Sequence, residues 1–368
     1  MLSEYIKVEN LGPLKSIELN DIRSLTVFVG ESGSGKSTIM KVLILFRWIY
    51  KKICIRSYLR HSGITRSPFR FKFERLIANN GLTDYVANDT VIVYKRGSNL
   101  IKYEDGKLYS DIIVPDEELS LDKLSYISDK RNVIPDLLTN GVNVNNSFYL
   151  SETWNDFRKA SEEFKELNFP YLDVKLIKRK TQNGYKFYIE GMGASSDYNV
   201  KFEDSSSGMQ NVAPMITIMD YFINRYDLIN SFNRSIVSVL SDSDLLSKFK
   251  PVVDIGKINY KNLFFHIEEP ELSLYPQSQL DLMNQIVDLC YLAKKNFDVN
   301  CMITTHSPYI ANYINLLIKE NKIDYNNVKV YEVIAGTVRK LNIDEKQLVN
   351  VAVLSEPISR IYDKYNEL

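Results

Sequence analysis

The stretch Gly30-Glu31-Ser32-Gly33-Ser34-Gly35-Lys36-Ser37 fits the pattern G-x-x-x-x-G-K-S/T. An apolar run over residues 24–29 precedes it and predicts a buried strand, and a helical pattern from Lys36 through Arg47 follows it. A strand, a glycine-rich loop and a helix in this order form the context in which backbone N–H groups and a helix N-terminus surround phosphate oxygens. The chain is therefore predicted to contain a phosphate-binding loop of the P-loop NTPase type.

The residue types in this loop match the chemistry of nucleotide binding. The Lys36 ammonium is expected to reach the β- and γ-phosphates, and the Ser37 hydroxyl is expected to hold Mg²⁺. The alternative, a glycine-rich turn before an amphipathic helix, would not require the full motif. The residues predicted to bind nucleotide are Gly30, Glu31, Ser32, Gly33, Ser34, Gly35, Lys36, Ser37 and Thr38.

Two carboxylates follow the apolar run Leu263–Ile267. The run predicts a strand of a parallel sheet, which would deliver Glu268 and Glu269 to the sheet edge where phosphates bind. Glu268 is predicted to help hold Mg²⁺, and Glu269 is predicted to orient and polarise the attacking water. The alternative is an acidic strand end with solvated charges, and the phosphate loop makes the functional interpretation the favoured one.

A single histidine follows another apolar strand pattern, Cys301–Ile303. Ser307 and Pro308 suit the N-cap and the first turn of a helix, so His306 is expected to project from the strand end toward Glu269. From there it could contact the γ-phosphate and sense its loss. A purely structural histidine is the alternative.

The segment Asp204–Gln210 contains a Ser-Gly pair where a helical pattern begins. Such a pair at a helix start is an anion site by itself, and an ordinary serine cap is the alternative. The spacing leaves open whether this site would serve the same nucleotide or the opposite one.

The rest of the pattern indicates an α/β protein. Alternating runs in the N-terminal half predict antiparallel strands, including a hairpin around Asn183-Gly184, and residues 150–167 predict a helix capped by Ser151 or Thr153. In the C-terminal half, helices alternate with short apolar strands, which favours a parallel sheet with crossover helices. Strands are predicted at 4–9, 15–19, within 90–109, and at 171–178, 185–190, 261–267, 299–304 and 328–334, and the later helices at 208–227, 276–295 and 307–320.

The order of these motifs resembles the SMC/RecF/OLD branch of ABC ATPases, and more narrowly the AAA-15/AAA-21-type ATPases of bacterial antiphage defence systems. The resemblance rests on the phosphate loop, Ser-Ser-Gly-Met-Gln at 206–210, Glu-Glu-Pro-Glu at 268–271 and Thr-Thr-His-Ser-Pro at 304–308. It implies an ABC ATPase head with an antiparallel β lobe and a RecA-like parallel-sheet lobe. It also implies one domain over residues 1–368, with a nucleotide-binding core at 1–50 and 201–368 and a family-specific lobe inserted at 51–200.

The same resemblance implies a composite site. Ser207, Gly208 and Gln210 would form the signature motif that caps the γ-phosphate bound to the opposite subunit, so a head-to-tail homodimer or a higher homo-oligomer is expected. Glu271–Pro276 is similar to the D-loop, which crosses the dimer interface. Tyr126–Arg131 resembles a Tyr-Ile-Pro-x-x-Arg segment in the position of the Q-loop, with serine in place of proline.

The function implied is that of a cytoplasmic ATPase that binds ATP and Mg²⁺ and acts as a switch in antiphage defence or DNA maintenance. It would act through a separate effector protein, a nuclease or a toxin. A scaffold that binds ATP without hydrolysing it is the alternative, against which Glu269 and His306 argue. A transporter ATPase is a third interpretation, which the Glu-Glu-Pro-Glu strand end disfavours.

A local basic stretch lies between Lys51 and Arg75, although the formal net charge of the chain is zero and general polyanion binding is excluded. Aromatic residues interleave with the basic ones, a pattern typical of a nucleic-acid or phosphoprotein contact. A helix pair with solvated charges is the alternative. The basic residues are Lys51, Lys52, Arg56, Arg60, Arg66, Arg70, Lys72 and Arg75.

The sequence also predicts that the chain has no disulfide framework, no membrane contact and no nuclease activity of its own. Three widely separated cysteines give no disulfide framework, and the N-terminal residues lack the layout of a signal peptide, so no membrane contact is expected. OLD nucleases carry a TOPRIM domain after the ATPase, whereas residues 307–362 are assigned here to helices and a hairpin that turns at Gly336. His61 is the only histidine between residues 50 and 200. We therefore expect no nuclease activity from the isolated chain.

Overall fold

The computed structural model describes residues 2–65, 71–140, 148–182, 184–195, 197–241, 245, 248–251, 253–292 and 295–367. Within these ranges the strands, in chain order, are β1 (Glu4–Leu11), β2 (Leu14–Leu19), β3 (Leu25–Val29), β4 (Val86–Arg96), β5 (Asn99–Glu104), β6 (Lys107–Tyr109), β7 (Ser120–Ile127), β8 (Glu166–Phe169), β9 (Val174–Thr181), β10 (Gly184–Gly191), β11 (Asn199–Lys201), β12 (Tyr260–Glu268), β13 (Asp298–Thr305), β14 (Val328–Ile334), β15 (Thr337–Lys340), β16 (Asn342–Ile343) and β17 (Leu348–Val349). The α-helices are α1 (Lys36–His61), α2 (Phe73–Asn79), α3 (Ile134–Asn140), α4 (Phe148–Glu163), α5 (Ser207–Asn224), α6 (Leu228–Ser241), α7 (Pro276–Val287), α8 (Pro308–Lys319) and α9 (Ala352–Asn366).

The central sheet determines where the functional residues meet. Its strand order is β15-β14-β3-β13-β12-β7, and all neighbours pair in parallel except β14 with β15. Parallel strands end at the same edge, so the segments that follow β3, β13, β12 and β7 lie side by side. The phosphate loop, His306, the Glu268-Glu269 pair and Ser128-Asp129 are those segments.

A second sheet, in the order β2-β1-β4-β5-β6, is antiparallel throughout. Helix α1 lies between this sheet and the central one, because its side chains form one apolar cluster with residues of both. Phe46 of α1 packs in this cluster with Ile6 and Ile92 of the antiparallel sheet and with Phe28 of β3. A helix buried on most sides is apolar around most of its circumference, as α1 is.

A third sheet, in the order β11-β10-β9-β8, is also antiparallel. Leu176 and Ile189 of this sheet belong to a second apolar cluster, which includes Phe157 of α4 and Met209 of α5. The same cluster contains residues of α7, α8 and the central strands. The central sheet is therefore covered on both faces, as its almost fully buried strands require.

Buried ion pairs connect the antiparallel sheet with the central sheet. Arg47 of α1 donates hydrogen bonds to both carboxylate oxygens of Glu4, at 2.8 and 2.5 Å, and its Nη1 lies 2.8 Å from His266 Nε2. Burial, together with the charge of Arg47, lowers the pKa of His266 to about 3, so the imidazole is neutral and accepts from Arg47. Arg96 of β4 likewise binds Asp122 of β7.

The α/β fold class and its division into antiparallel and parallel sheets are confirmed. The helix expected through Arg47 continues to His61, because Arg47 is buried against Glu4 rather than solvated. The caps Ser151 and Thr153 are wrong, since α4 begins earlier, and Thr153 Oγ1 donates inside that helix and to Tyr126 O. Asn183 lies outside the described residues, although β9 and β10 pair as predicted.

The division of the chain at residues 50 and 200 stays a prediction. The structure adds one fact that bears on it: β7, from inside the predicted insertion, pairs in parallel with β12 in the central sheet. Residues 86–109 also pair with β1 through β4. The central sheet, which contains the strand before the phosphate loop, thus includes a strand from the range that was assigned to the insertion.

Candidate nucleotide-binding site

Two glycines of the phosphate loop adopt backbone conformations, and lie in close contacts, that a residue with a side chain would not tolerate. Gly30 and Gly35 have φ values of 144° and 108°, which residues with a side chain rarely adopt. A Cβ at Gly30 would lie 2.4 Å from the carbonyl oxygen of Val333, and one at Gly35 would lie 2.6 Å from Leu14 Cδ2. Both glycines are therefore required by the close approach of neighbouring strands.

Polar groups of this loop are arranged as expected for a phosphate site. Lys36 Nζ donates to the carbonyl oxygens of Gly30 (2.9 Å) and Glu31 (2.8 Å), and burial lowers its pKa. Within the described residues, Ser34 Oγ is buried and has no hydrogen-bond partner. A phosphate oxygen would supply partners to both groups, so these residues fit a nucleotide. Ser37 and Thr38 lie in the first turn of α1.

Glu268 is the last residue of β12, in register with Thr304 of β13. Its side chain is buried, and burial raises the pKa of its carboxyl, although the Tyr126 and Ser37 hydroxyls and the Lys41 charge oppose this shift. The Ser37 hydroxyl thus acts on the Glu268 carboxyl, and the assignment of both residues to a shared metal site stays a prediction. A buried carboxylate without a full counter-charge is suited to a cation.

Glu269 and His306 face each other from neighbouring strand ends. Glu269 Oε1 lies 3.3 Å from His306 Nε2, and each side chain is about one-third exposed. Glu269 has a φ of 42°, and its N–H donates to the carbonyl oxygen of Thr304 at 2.8 Å. The carboxylate is thus held at the sheet edge while remaining accessible to water.

Glu271 supports His306, a role that sequence reasoning did not assign. Its Oε1 accepts hydrogen bonds from Thr305 Oγ1 (2.6 Å) and from the His306 N–H (2.8 Å). Within the described residues its Oε2 is buried without a partner. The local sequence signal was the third carboxylate of Glu-Glu-Pro-Glu, which had been assigned only to the D-loop.

Arg131 is the other residue whose contacts the sequence did not reveal. Its buried guanidinium donates to the carbonyl oxygens of Glu268 (2.7 Å), Glu269 (2.7 Å) and Asn211 (2.9 Å). It also donates to Ser128 O at 3.1 Å. One side chain therefore joins the carboxylate-bearing end of β12 to helix α5.

The Ser-Gly element lies at the beginning of α5. The cap is Ser206, whose Oγ accepts from Met209 N at 3.4 Å, and Ser207 is exposed in the first turn. A Cβ at Gly208 would lie 3.1 Å from the carbonyl oxygen of Ser273, in the predicted D-loop. Gln210 is directed away from this surface, because its Nε2 donates to Glu203 O at 2.8 Å.

Two separate cavities contain these elements. A cavity of about 670 Å³ is lined by residues 30–34 of the phosphate loop and by His306. Arg339 and Arg360 also line it. A second cavity of about 330 Å³ contains Ser207 and Gly208 together with Ser273–Tyr275. The two cavities have no lining residue in common, so among the described residues the Ser-Gly element and the phosphate loop line different cavities.

A comparison with protein-family models bears on the same residues. The model of the AAA_15 family, described as an AAA ATPase domain, matches residues 105–311, which is more than half of the chain. The chain belongs to the AAA_15 family. It is therefore an ATPase, as predicted, and the matched range contains Glu268, Glu269 and His306, whereas the phosphate loop precedes it. No curated protein sequence matches this AAA_15 chain significantly.

Solved structures similar to the AAA_15 chain include heads of SMC proteins. The SMC head bound to the C-winged helix domain of ScpA has 13% identity and a TM-score of 0.37, covering 94% of this chain and 98% of that one. The SMC head domain from Thermotoga maritima has 10% identity and a TM-score of 0.35, covering 93% and 98%. The recombination mediator RecF has 12% identity and a TM-score of 0.34, covering 93% and 98%. Similarity at this level says nothing about the ligands or partners of this chain.

The basic stretch Lys51–Arg75 does not form one continuous basic surface. Arg56 is buried and donates to the carbonyl oxygens of Ser110 (2.6 Å) and Ile112 (3.1 Å). Arg66 and Arg70 lie outside the described residues. In the described part of the chain, no helix has the length and apolar character needed to cross a membrane.

Proposed function

We propose that this AAA_15 ATPase is a switch in which ATP closes two copies head-to-tail and hydrolysis opens them. The observation that carries the proposal is the 3.3 Å approach of Glu269 to His306, on strands β12 and β13, the second of which adjoins the strand that carries the phosphate loop. A carboxylate and an imidazole at this edge can orient a water molecule and contact the terminal phosphate. A scaffold that only binds ATP needs neither group.

Each predicted site residue has a part in this proposal. Lys36 and the N–H groups of residues 30–38 hold the phosphates, and Ser37 and Glu268 hold Mg²⁺, which when bound neutralises charge on the β- and γ-phosphates. Glu269 orients the attacking water, and His306 contacts the γ-phosphate. Burial of Glu268 beside Ser37 supports the metal assignment.

The Ser-Gly element is proposed to act on the nucleotide of the partner copy. The separation of the Ser207 cavity from the phosphate-loop cavity supports this arrangement, as does the exposure of Ser207 in the first turn of α5. Gly208 packs on Ser273, so the predicted D-loop and the Ser-Gly element would enter the interface together. Gln210 would have to release Glu203 O before it could reach a nucleotide.

The composite site can be tested by mixing two inactive variants. Ser207→Arg should bind ATP without turnover, and Lys36→Ala should not bind ATP. In a mixed dimer both defects fall on one nucleotide site, which leaves the second site intact. Partial recovery of ATPase activity supports the composite arrangement. No recovery, under conditions where mixed dimers are demonstrated by pull-down with two tags, contradicts it.

The cellular role proposed from the motif order is antiphage defence or DNA maintenance through a separate effector, a nuclease or a toxin. A nucleic-acid contact at Lys51–Arg75 has less support, because Arg56 is engaged inside the protein. The test is incubation of the chain with plasmid DNA and tRNA, ATP and Mg²⁺ or Mn²⁺, alone and with the product of a neighbouring gene. Cleavage only in the second reaction supports the proposal. Cleavage by the chain alone that is lost in a site variant of the same chain contradicts it.

A further inference from the structure

A cavity of about 360 Å³ lies between α1, α2, β7 and α4 and shares no lining residue with the phosphate-loop cavity. Its volume falls within the range of small-molecule sites, about 300–1,000 Å³. Five of its sixteen lining residues are aromatic, and apart from Tyr126, which lies in the segment similar to the Q-loop, no motif identified in the sequence accounts for them. The rings are those of Trp48, Tyr126, Phe148, Tyr149 and Tyr226.

Three lysines from three different elements line the same cavity. Lys123 of β7 binds Asp156 at 2.8 Å, whereas Lys51 of α1 and Lys159 of α4 have no carboxylate within ion-pair distance among the described residues. Burial, reinforced by the charge of Lys123, lowers the pKa of Lys51 to about 8. An ammonium group in a cavity that has no ion-pair partner is stabilised by an anionic ligand.

The aromatic walls are held in place by their own contacts. The rings of Tyr126 and Tyr149 are 4.1 Å apart, and Tyr149 Oη donates to Asn80 Oδ1 at 2.7 Å. Trp48 and Phe148 are exposed at the rim, by 37% and 40%. A flat ring that enters from solvent would therefore meet Trp48 and Phe148, whereas Tyr126 and Tyr149 are buried against each other behind them.

We propose that this cavity is a second nucleotide-binding site, separate from the phosphate loop, which takes a nucleotide with one or two phosphates. The base would stack against the aromatic walls, and the phosphate would lie between Lys51 and Lys159. Glu152 lines the cavity and Asp156 neutralises Lys123, so the positive charge available suits a small phosphate group better than a triphosphate. The binding proposed here does not depend on ATP hydrolysis at the other site.

Tyr126 connects this cavity with the carboxylate predicted to hold metal. Its ring lines the cavity, and it lies in register with His266 on β12, the strand that ends at Glu268. Three residues further on, the Asp129 N–H lies 3.4 Å from Glu268 Oε2. A ligand against the Tyr126 ring would therefore be close enough to affect the nucleotide site through one strand end.

The chain carries a natural reporter for the test, because Trp48 is at the rim and the sequence has one other tryptophan, Trp154. In a Trp154→Phe protein, AMP, GMP, CMP and UMP are titrated while Trp48 fluorescence is followed. These probes lack the β- and γ-phosphates that Lys36 is expected to hold. We expect saturable quenching by at least one of them.

Charge variants then locate the binding. Lys51→Gln should weaken the affinity about tenfold or more, the effect of losing a charge-assisted hydrogen bond. Lys159→Gln, at an exposed position where folding is not at risk, should weaken it in the same direction. The matched control is Lys72→Gln, which removes an exposed charge from the same basic stretch but not from the cavity and should change the affinity less than about twofold.

The outcomes separate this proposal from the proposed ATPase switch. Absence of saturable quenching with all four nucleotides overturns the second site, as does parental affinity in both Lys51→Gln and Lys159→Gln. Loss of the signal in Lys36→Ala places the nucleotide at the phosphate loop and also overturns it. Failure of the switch would show instead as absent ATP turnover with the Trp48 signal intact. A short single-stranded oligonucleotide is then added as a competitor. If it displaces the mononucleotide, the site exists and its natural ligand is the end of a nucleic acid. If it does not, the site exists and its natural ligand is a free nucleotide.

Discussion

The guanidinium of Arg131 donates a hydrogen bond of 2.7 Å from Nη2 to the carbonyl oxygen of Glu269. Glu269 has a positive φ of 42°, a conformation that is unfavourable for a residue with a side chain and needs support from its surroundings. Arg131 gives that support and also binds Asn211 O in α5. The position of the carboxylate next to His306 therefore depends on a side chain that contacts neither its carboxyl group nor the imidazole.

Arg131→Lys should disrupt this arrangement while keeping the charge. Lysine cannot present the planar fork of guanidinium donors, so buried carbonyl groups lose partners. We expect the free energy of unfolding to fall by about 2–4 kcal/mol and ATP turnover to fall at least about tenfold. Urea unfolding and phosphate release measure the two effects. The neighbouring exposed Lys130→Gln is the control, and equal effects in both variants would contradict the role of Arg131.

Lys36→Ala should abolish tight ATP binding. The ammonium now bonded to Gly30 O and Glu31 O is the nearest charge available to the β- and γ-phosphates in the loop. Calorimetric titration with a non-hydrolysable ATP analogue measures the affinity, and thermal unfolding without nucleotide checks that the variant is folded. Parental affinity in a folded variant would remove the phosphate loop from the proposed site.

Glu269→Gln should bind ATP but hydrolyse it about 10²-fold more slowly or worse, because the amide is not a base for the attacking water. The ATP-closed dimer should then persist, and light scattering with ATP should give a higher mass than for the parent. Glu345→Gln, at an exposed turn, is the matched control. Parental turnover in Glu269→Gln would show that another group orients the water.

The buried pair of Glu4 and Arg47 predicts a specific pH dependence of stability. Burial raises the pKa of Glu4, but the ion pair and hydrogen bonds with Arg47 more than offset this, and the pKa is lowered from 4.5 to about 2. A carboxyl with a depressed folded-state pKa contributes stability that is present above about pH 4.5 and is lost as the pH falls toward 2. The shift corresponds to about 3 kcal/mol.

Glu4→Gln should therefore lower the free energy of unfolding by about 3 kcal/mol at pH 7, and the difference from the parent should shrink as the pH approaches 2. Urea unfolding at pH 7, 5 and 3 measures it. Glu104→Gln removes the exposed partner of Lys102 on the same sheet and should change stability by less than about 1 kcal/mol at every pH. A pH-independent loss in Glu4→Gln would indicate that packing, not ionisation, is responsible.

The sequence predicted the local parts of the site well, because each motif is a short segment at the end of a strand. The phosphate loop, Glu268-Glu269 and His306 needed only their flanking apolar runs to be placed at one sheet edge. The roles of these residues stay predictions until they are tested. What the sequence could not show was that Arg131 donates to four backbone carbonyl groups, because the pattern of side chains along a sequence does not reveal backbone acceptors.

The sequence did not predict the elements that contain buried charged residues, because charged residues in a sequence pattern are normally assigned to the protein surface. β7 contains Asp122 and Lys123, which appear solvated in sequence but are bound to Arg96 and Asp156 inside the protein. The helix predicted from Lys36 through Arg47 extends further than the pattern indicated, because Arg47 is buried in an ion pair with Glu4. The ion-pair partners of these charged residues lie far away in the sequence. The periodicity of apolar residues within a short segment therefore cannot reveal that the charges are buried.

Strand β3 has consequences for how the chain folds during synthesis. Leu25 pairs with Cys301 on one side and with Val328 on the other, so the strand that leads into the phosphate loop has no sheet neighbour until the ribosome has passed Cys301, and it has only one until the ribosome has passed Val328. At the usual rate of translation, the interval between synthesis of β3 and synthesis of β14 is roughly 15–60 s. During this time the five residues of β3, all buried in the folded protein, are not yet paired on both sides. The nascent chain should therefore recruit a chaperone over this segment, and it should gain affinity for ATP only after the β14 codons have been translated.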